Sequence, residues 1–196
     1  MKYFFIFFIS LNLALYGQNA DIDLLKSINL NRNKNLDNAF IGISNSVAPA
    51  SIALPIGLLC TGIIKHDSTL KNKAVCVGAS LIVAAGITTG LKYAVNRTRP
   101  FVTYPEIDKA MAAGSPSFPS GHTSDAFATA TSLSLAFPKW FVIAPSFLWA
   151  CSVGYSRMDL GVHYPTDVAN GAIIGAGTSF LCYKANKWLS KRNHRK

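Results

Sequence analysis

Five uncharged apolar stretches, at residues 47–64, 74–91, 126–137, 140–155 and 168–183, constrain this chain more than any other feature. The third extends back towards His122, and the stretches then run to about 16–18 residues each, at the lower edge of what an α-helix needs to cross a bilayer. They are rich in Gly, Ala and Ser, with small residues four apart at Gly86/Gly90 and Gly171/Gly175, a spacing that lets helix backbones approach closely in lipid. Pro49, Pro55 and Pro145 within the runs argue against strands. Only 14% of the 196 residues are charged, against about 25% in an ordinary soluble domain. The expected fold is therefore all-α: an integral membrane helical bundle with five transmembrane helices after an N-terminal signal, or six if the signal is retained. A soluble bundle of buried helices is the competing reading.

Lys2, an apolar run from Tyr3 to Tyr16 and the small residue Gly17 describe a secretory signal cleaved after residue 17. An uncleaved anchor is its rival. Residues 18–46 differ in character: Ile22, Leu25, Ile28 and then Leu36, Ala39, Phe40 and Ile43 recur near helical spacing around a polar turn at residues 31–35. They predict two short amphipathic helices on the outer, periplasmic side, lying on the membrane surface or packed on the bundle. Residues 47–184 form the membrane domain, and residues 185–196 a basic cytoplasmic tail. Cys60, Cys76, Cys151 and Cys182 lie within apolar runs without Cys-x-x-Cys spacing and read as buried free thiols, with no metal site.

The formal charge of +10 suggests a polyanionic partner, until its distribution is considered. If residues 18–46 are outside, the 65–73 loop, the Pro138-Lys139 turn and the chain from Lys184 onward are cytoplasmic. These hold ten basic residues against one acid, Asp67, whereas the outer segments hold eight of each. That is the positive-inside asymmetry of a membrane protein, with the bacterial-type cytoplasmic membrane as the expected location, and it leaves no nucleic-acid site.

Three polar clusters then fall at helix ends on the outer face: Lys92 with Arg97, Arg99 and Pro100; Pro119-Ser120-Gly121-His122; and Ser156-Arg157 with His163 and Asp167. Three fixed cations suit a tetrahedral dianion, and guanidiniums bond it in a two-point fork. A helix opening at Ser120-Gly121 offers backbone N–H groups and a positive dipole end. One neutral His can attack phosphorus while the other, protonated, supplies the leaving group's proton. Asp167, four residues after His163, can accept its Nδ1 proton and leave Nε2 free.

The pattern K-x6-RP, PSGH and SR-x5-H-x3-D resembles that of the type 2 phosphatidic acid phosphatases, which include lipid phosphate phosphatases and bacterial acid phosphatases. The resemblance implies His163 as the nucleophile forming a phosphohistidine, Asp167 as its orienting partner and His122 as the general acid. Lys92, Arg99 and Arg157 would bind the phosphoryl group, helped by Ser120 and the amide of Gly121. Arg97 matches a position often basic in the family; Asp125 and Asp159 have no assigned role and are expected to be solvated or to cap helices. No cofactor or metal is expected. The expected activity is hydrolysis of a lipid phosphate: undecaprenyl diphosphate, a lipid A phosphate, phosphatidylglycerol phosphate or phosphatidic acid. A soluble periplasmic acid phosphatase and a lipid phosphotransferase are the alternatives, and the oligomeric state is open.

Overall fold

The computed structural model describes residues 19–193, and the expected signal at residues 1–17 lies outside them. A first helix, α1, covers residues 19–29. A 3₁₀ turn at Lys34–Leu36 leads into α2 (Asp37–Asn45), followed by α3 (Val47–Ile64), α4 (Ser68–Val95), the single turn α5 (Pro100–Thr103), α6 (Gly121–Ala136), α7 (Trp140–Asp159) and α8 (Pro165–Asn193). No strand occurs among the described residues. Each expected apolar stretch lies in its own helix, with Pro55 inside α3 and Pro145 inside α7.

Local chemistry sets the helix ends. Asp67 accepts the N–H groups of Thr69 and Leu70, satisfying donors that have no partner within α4. The chain leaves α4 through Asn96 in the left-handed region, φ 49°. Pro100 and Pro165 open α5 and α8 at first-turn positions, where a missing N–H does no harm. The turn from α7 to α8 needs Gly161 (φ 70°): a Cβ there would lie 2.6 Å from the Asp108 carbonyl and 2.9 Å from Asn29 Nδ2.

Helix α6 is central, packed against α3, α4, α7 and α8. Its buried side chains are small: Thr123, Ser124, Ala126, Ala128, Thr129, Ala130 and Ser132. Two of its hydroxyls bond locally, Thr129 Oγ1 donating to the Asp125 carbonyl at 2.8 Å and Ser132 Oγ to the Thr129 carbonyl at 3.1 Å, while Ser124 Oγ accepts from Thr88 Oγ1 of α4 at 2.9 Å. The closest approach is to α8. A Cβ at Gly171 would come within 2.6 Å of the Ser120 carbonyl, and one at Gly175 would collide with the Ser124 carbonyl. The Gly171/Gly175 pair is thus a packing seam. The Gly86/Gly90 pair is not, since neither meets any atom within 4 Å and that face of α4 points outward.

The exterior is apolar. Ile52, Ile56 and Ile64 on α3, Ile82 on α4, Trp140 and Leu148 on α7, and Ile173 and Leu181 on α8 are all more than half exposed. A soluble bundle would bury such residues, so this surface suits lipid. The segments Lys34–Ile64 and Ser68–Thr103 are long and apolar enough to cross a bilayer, each holding an 18-residue window of mean hydropathy 2.0. Cys60 and Cys151 belong to this exterior and are exposed rather than buried, while all four thiols are unpaired.

Of the two readings of residues 18–46, the structure takes packing on the bundle. Asp21, Ile22, Leu25 and Asn29 form one buried stripe of α1, and Ile22 and Leu25 join Ile107 and Tyr164 in a small core. Ile43 of α2 packs on the core formed by Val47, Ala126, Ala130, Ala150 and Val153. At the other end, α8 continues to Asn193, so most of the basic tail prolongs a helix.

Candidate active site

The C-terminal ends of α4 and α7 and the N-terminal ends of α6 and α8 meet at one end of the bundle. Backbone hydrogen bonds fasten them: Ser117 N–H to the Arg97 carbonyl at 2.8 Å, and Ser120 N–H to the Asp167 carbonyl at 3.0 Å. This junction brings all three polar clusters together.

His163 is buried in the turn between α7 and α8. Its N–H, like that of Val162, donates to the Arg157 carbonyl at 3.2 Å. Nδ1 lies 3.5 Å from Asp167 Oδ2, and Nε2 lies 3.4 Å from Arg99 Nη1. The ring therefore has one nitrogen at the carboxylate and the other towards the cations. The longer-than-ideal Nδ1 contact is electrostatic rather than a formed hydrogen bond, and contacts of this kind tighten as a transition state is approached. Burial, ahead of the neighbouring guanidiniums, holds the imidazole pKa down to about 3, against the opposing pull of Asp167. The ring is neutral at physiological pH and ready to act as a nucleophile. Unfolded, it would titrate near 6.5, so below that pH the unfolded chain binds the extra proton. Stability should fall as pH drops from about 6.5 towards about 3; thermal unfolding in detergent should show a shallower fall for His163→Gln.

The cations come from three elements. Arg99, ahead of α5, donates from Nε to the Ser115 carbonyl at 2.7 Å and from Nη1 to the Val162 carbonyl at 2.8 Å. Burial lowers its pKa while Asp167 opposes that, and a guanidinium stays charged regardless. Lys92, in the last turn of α4, donates to the Pro116 carbonyl at 2.7 Å. Arg157, near the end of α7, is buried and donates from Nη1 to Ser44 Oγ and, at 3.0 Å, to Met111 Sδ, while its Nε has no protein partner. A buried charged donor left so is costly, and an anion would offset the penalty. His122, one residue into α6, sits within electrostatic reach of Arg157, Arg99 and Lys92.

Ser120 and Gly121 start α6. Gly121 lies against Lys92, where a Cβ would be 3.8 Å from Lys92 Cε. The Ser120 hydroxyl is buried and hydrogen-bonded with Thr123 Oγ1 at 2.8 Å, so the open donors at this helix start are its backbone amides.

The groups around Asp167 carry no local signal in the sequence. Ser117 Oγ and the Tyr164 N–H donate to Oδ2, the latter at 3.0 Å, and Arg97 Nη1 donates to Oδ1 at 2.7 Å. Arg97 thus faces the Asp167 carboxylate. Asp159 and Asp125 also differ from expectation. Asp159 is buried at the end of α7, one carboxylate oxygen without a protein partner. Asp125, one turn along α6 from His122, lines a cavity of about 350 Å³ with Ser51, Pro55, Leu81 and Ala85, and caps no helix. Among the described residues no cluster of His, Cys, Asp and Glu suits a metal ion.

Fixed cations beside a neutral imidazole, at one end of a bundle with a lipid-compatible exterior, define the class: a helical membrane enzyme that hydrolyses phosphate esters. Residues 73–191 match the PAP2 superfamily, and the chain belongs to that family. It is 28% identical to the undecaprenyl-diphosphatase of Sulfolobus acidocaldarius over 82% of this chain and 76% of that protein. Its fold superimposes on the crystal structure of Aquifex aeolicus LpxE with a TM-score of 0.70, at 29% identity over 84% of this chain and 95% of that one. It is similar too to a transmembrane PAP2-type phosphatidylglycerolphosphate phosphatase from Bacillus subtilis: TM-score 0.69, 25% identity, 93% of this chain and 94% of that one.

Proposed function

We propose that the protein releases phosphate from a membrane lipid at the outer, periplasmic face of a bacterial cytoplasmic membrane, through a phosphohistidine at His163. The observation that carries this reading is the orientation of the His163 ring, with Nδ1 at Asp167 and Nε2 at Arg99. Nε2 attacks phosphorus as the bond to the leaving oxygen breaks, and His122 gives that oxygen its proton. Water then attacks the phosphohistidine, His122 takes a proton back, and inorganic phosphate leaves with Nε2 regenerated. Lys92, Arg99, Arg157 and the amides at Gly121 balance the charge on the phosphoryl oxygens throughout.

Five helices, α3, α4, α6, α7 and α8, serve as the spans, and the basic loops face the cytoplasm. A lipid suits the site because a headgroup can reach the bundle end while its chains stay in the bilayer. The cavity beside Asp125, open between α3 and α4, has room for the first part of such a chain. Undecaprenyl diphosphate, lipid A phosphates, phosphatidylglycerol phosphate and phosphatidic acid all present the group that this site reads. The test is phosphate release by detergent-purified protein from micelles of each, in EDTA. Release from at least one is expected, with divalent ions unnecessary because the cations take their part. Release from none, or a strict requirement for a divalent ion, would contradict the reading.

A further inference from the structure

We propose that α1 belongs to the catalytic apparatus: Asp21, acting through Arg97 and the first turn of α8, holds the Asp167 carboxylate in the orientation that faces His163. Asp21 and Arg97 are positioning residues in this account, which rests on the reading of His163 and Asp167 given above.

The connections form a closed set. Asp21 is buried, Oδ1 accepting the Thr166 N–H at 2.9 Å and Oδ2 accepting the Thr166 hydroxyl at 2.6 Å. Oδ2 also accepts from Arg97 Nη2 at 2.7 Å, while Nη1 of the same guanidinium reaches Asp167 Oδ1 at 2.7 Å and Thr166 Oγ1 at 2.8 Å. One planar fork therefore bridges two carboxylates. Its plane is further fixed on the Tyr164 ring, whose centroid is 3.8 Å from Arg97 Cζ. Burial works against the charge on Arg97, but the bonds to Asp21 and Asp167 prevail and raise its pKa. With Oδ1 taken by Arg97 and Oδ2 by Ser117 and the Tyr164 N–H, Asp167 cannot rotate away from His163 without breaking several bonds together.

The other end of α1 grips the opposite side of the same turn. Asn29 Nδ2 donates to the Asp159 carbonyl at 2.7 Å and the Asp108 carbonyl at 3.0 Å, and Oδ1 accepts the Asp108 N–H at 2.9 Å. Eight residues of helix, about 12 Å, separate Asp21 from Asn29. Helix α1 thus ties the end of α7 to the start of α8, and His163 lies between the two attachments. A surface helix serving only as cover would need the apolar contacts of Ile22 and Leu25, not a buried carboxylate bonded to the Arg97 guanidinium that also holds Asp167.

The test uses Asp21→Asn, Arg97→Lys and Asp167→Asn in the full chain, with short-chain phosphatidic acid in micelles as substrate and inorganic vanadate as a probe of the phosphoryl site. Asp21→Asn should lower kcat about 10–100-fold, as loss of a ligand-orienting partner does, with KM and vanadate inhibition within about twofold of wild type. Arg97→Lys, which keeps the charge and loses the fork, should behave alike and stands in if Asp21→Asn does not fold. In an Asp167→Asn background, Asp21→Asn should have no further effect on kcat. Wild-type kcat in both single variants would overturn the proposal. So would equal losses of kcat in the presence and absence of Asp167, or vanadate binding lost in step with kcat. A wild-type protein that releases no phosphate from any of the four lipid phosphates named above, or a His163→Ala variant that releases it at the wild-type rate, would instead remove the underlying mechanism.

Discussion

Replacing His163 by alanine should lower kcat by at least about 10⁴-fold, the scale of losing a nucleophile from a site whose remaining groups still bind the substrate. The turn from Asp159 to Tyr164 presents its ring nitrogen Nε2 towards Arg99, and the three cations can hold a phosphoryl group but cannot attack it. His122 does not take over, because it stands at the start of α6 without the carboxylate partner that aligns His163. Micellar affinity for the substrate should change little, since no phosphate ligand is removed. Steady-state kinetics on purified wild type and variant, with thermal unfolding to establish that both fold, provide the check.

Arg157→Ala should produce the second largest loss, about 10²–10³-fold in kcat or about 2.7–4 kcal/mol of transition-state stabilisation. Its guanidinium is buried, tethered to Ser44 and Met111 by Nη1 alone, with Nε unpartnered. It is a fixed charge in a buried site, where charge developing on a phosphoryl oxygen is stabilised without reorganisation. Arg157→Lys should recover part of the loss, because charge returns but the two-point fork does not. Vanadate inhibition should weaken in both, unlike in the Asp21 variant. Equal kcat in wild type and Arg157→Ala would remove Arg157 from the phosphate site.

What the sequence made legible follows from how local each signal is. Helix α3 has the expected bounds because an uncharged run between Ser46 and Lys65 leaves no alternative. The central helix α6 was harder to delimit: its buried face is Thr, Ser and Ala, chosen for close packing, so it looks short when judged on hydropathy. The two small-residue pairs look alike in the chain, and only the path of α8 across α6 makes Gly171 and Gly175 a seam while Gly86 and Gly90 face outward. Exposure of Cys60 and Cys151 has the same origin, since apolar helices of a membrane bundle turn one face to lipid.

The site itself was legible because the three clusters sit at helix ends, where alternation of spans forces them to one side. What was hidden is what surrounds it. Arg97 lies two residues before Arg99 in the chain, but its partner Asp21 is 76 residues away, and no local pattern links them. The one available hint was a polar residue at each end of an apolar stripe, Asp21 and Asn29 flanking Ile22 and Leu25, which is unusual for a helix lying on a membrane. Asp125 reads as a surface carboxylate in the chain, but the packing of α3 and α4 beside α6 places it on the wall of an open, mostly apolar cleft.

A phosphohistidine at His163 is tested most directly by a rapid quench of the wild-type protein with ³²P-labelled phosphatidic acid, followed by separation of protein-bound label. The label should be stable in alkali, labile in acid and attached to His163, and absent from His163→Ala. Label on another residue, or turnover by His163→Ala at the wild-type rate, would contradict that assignment.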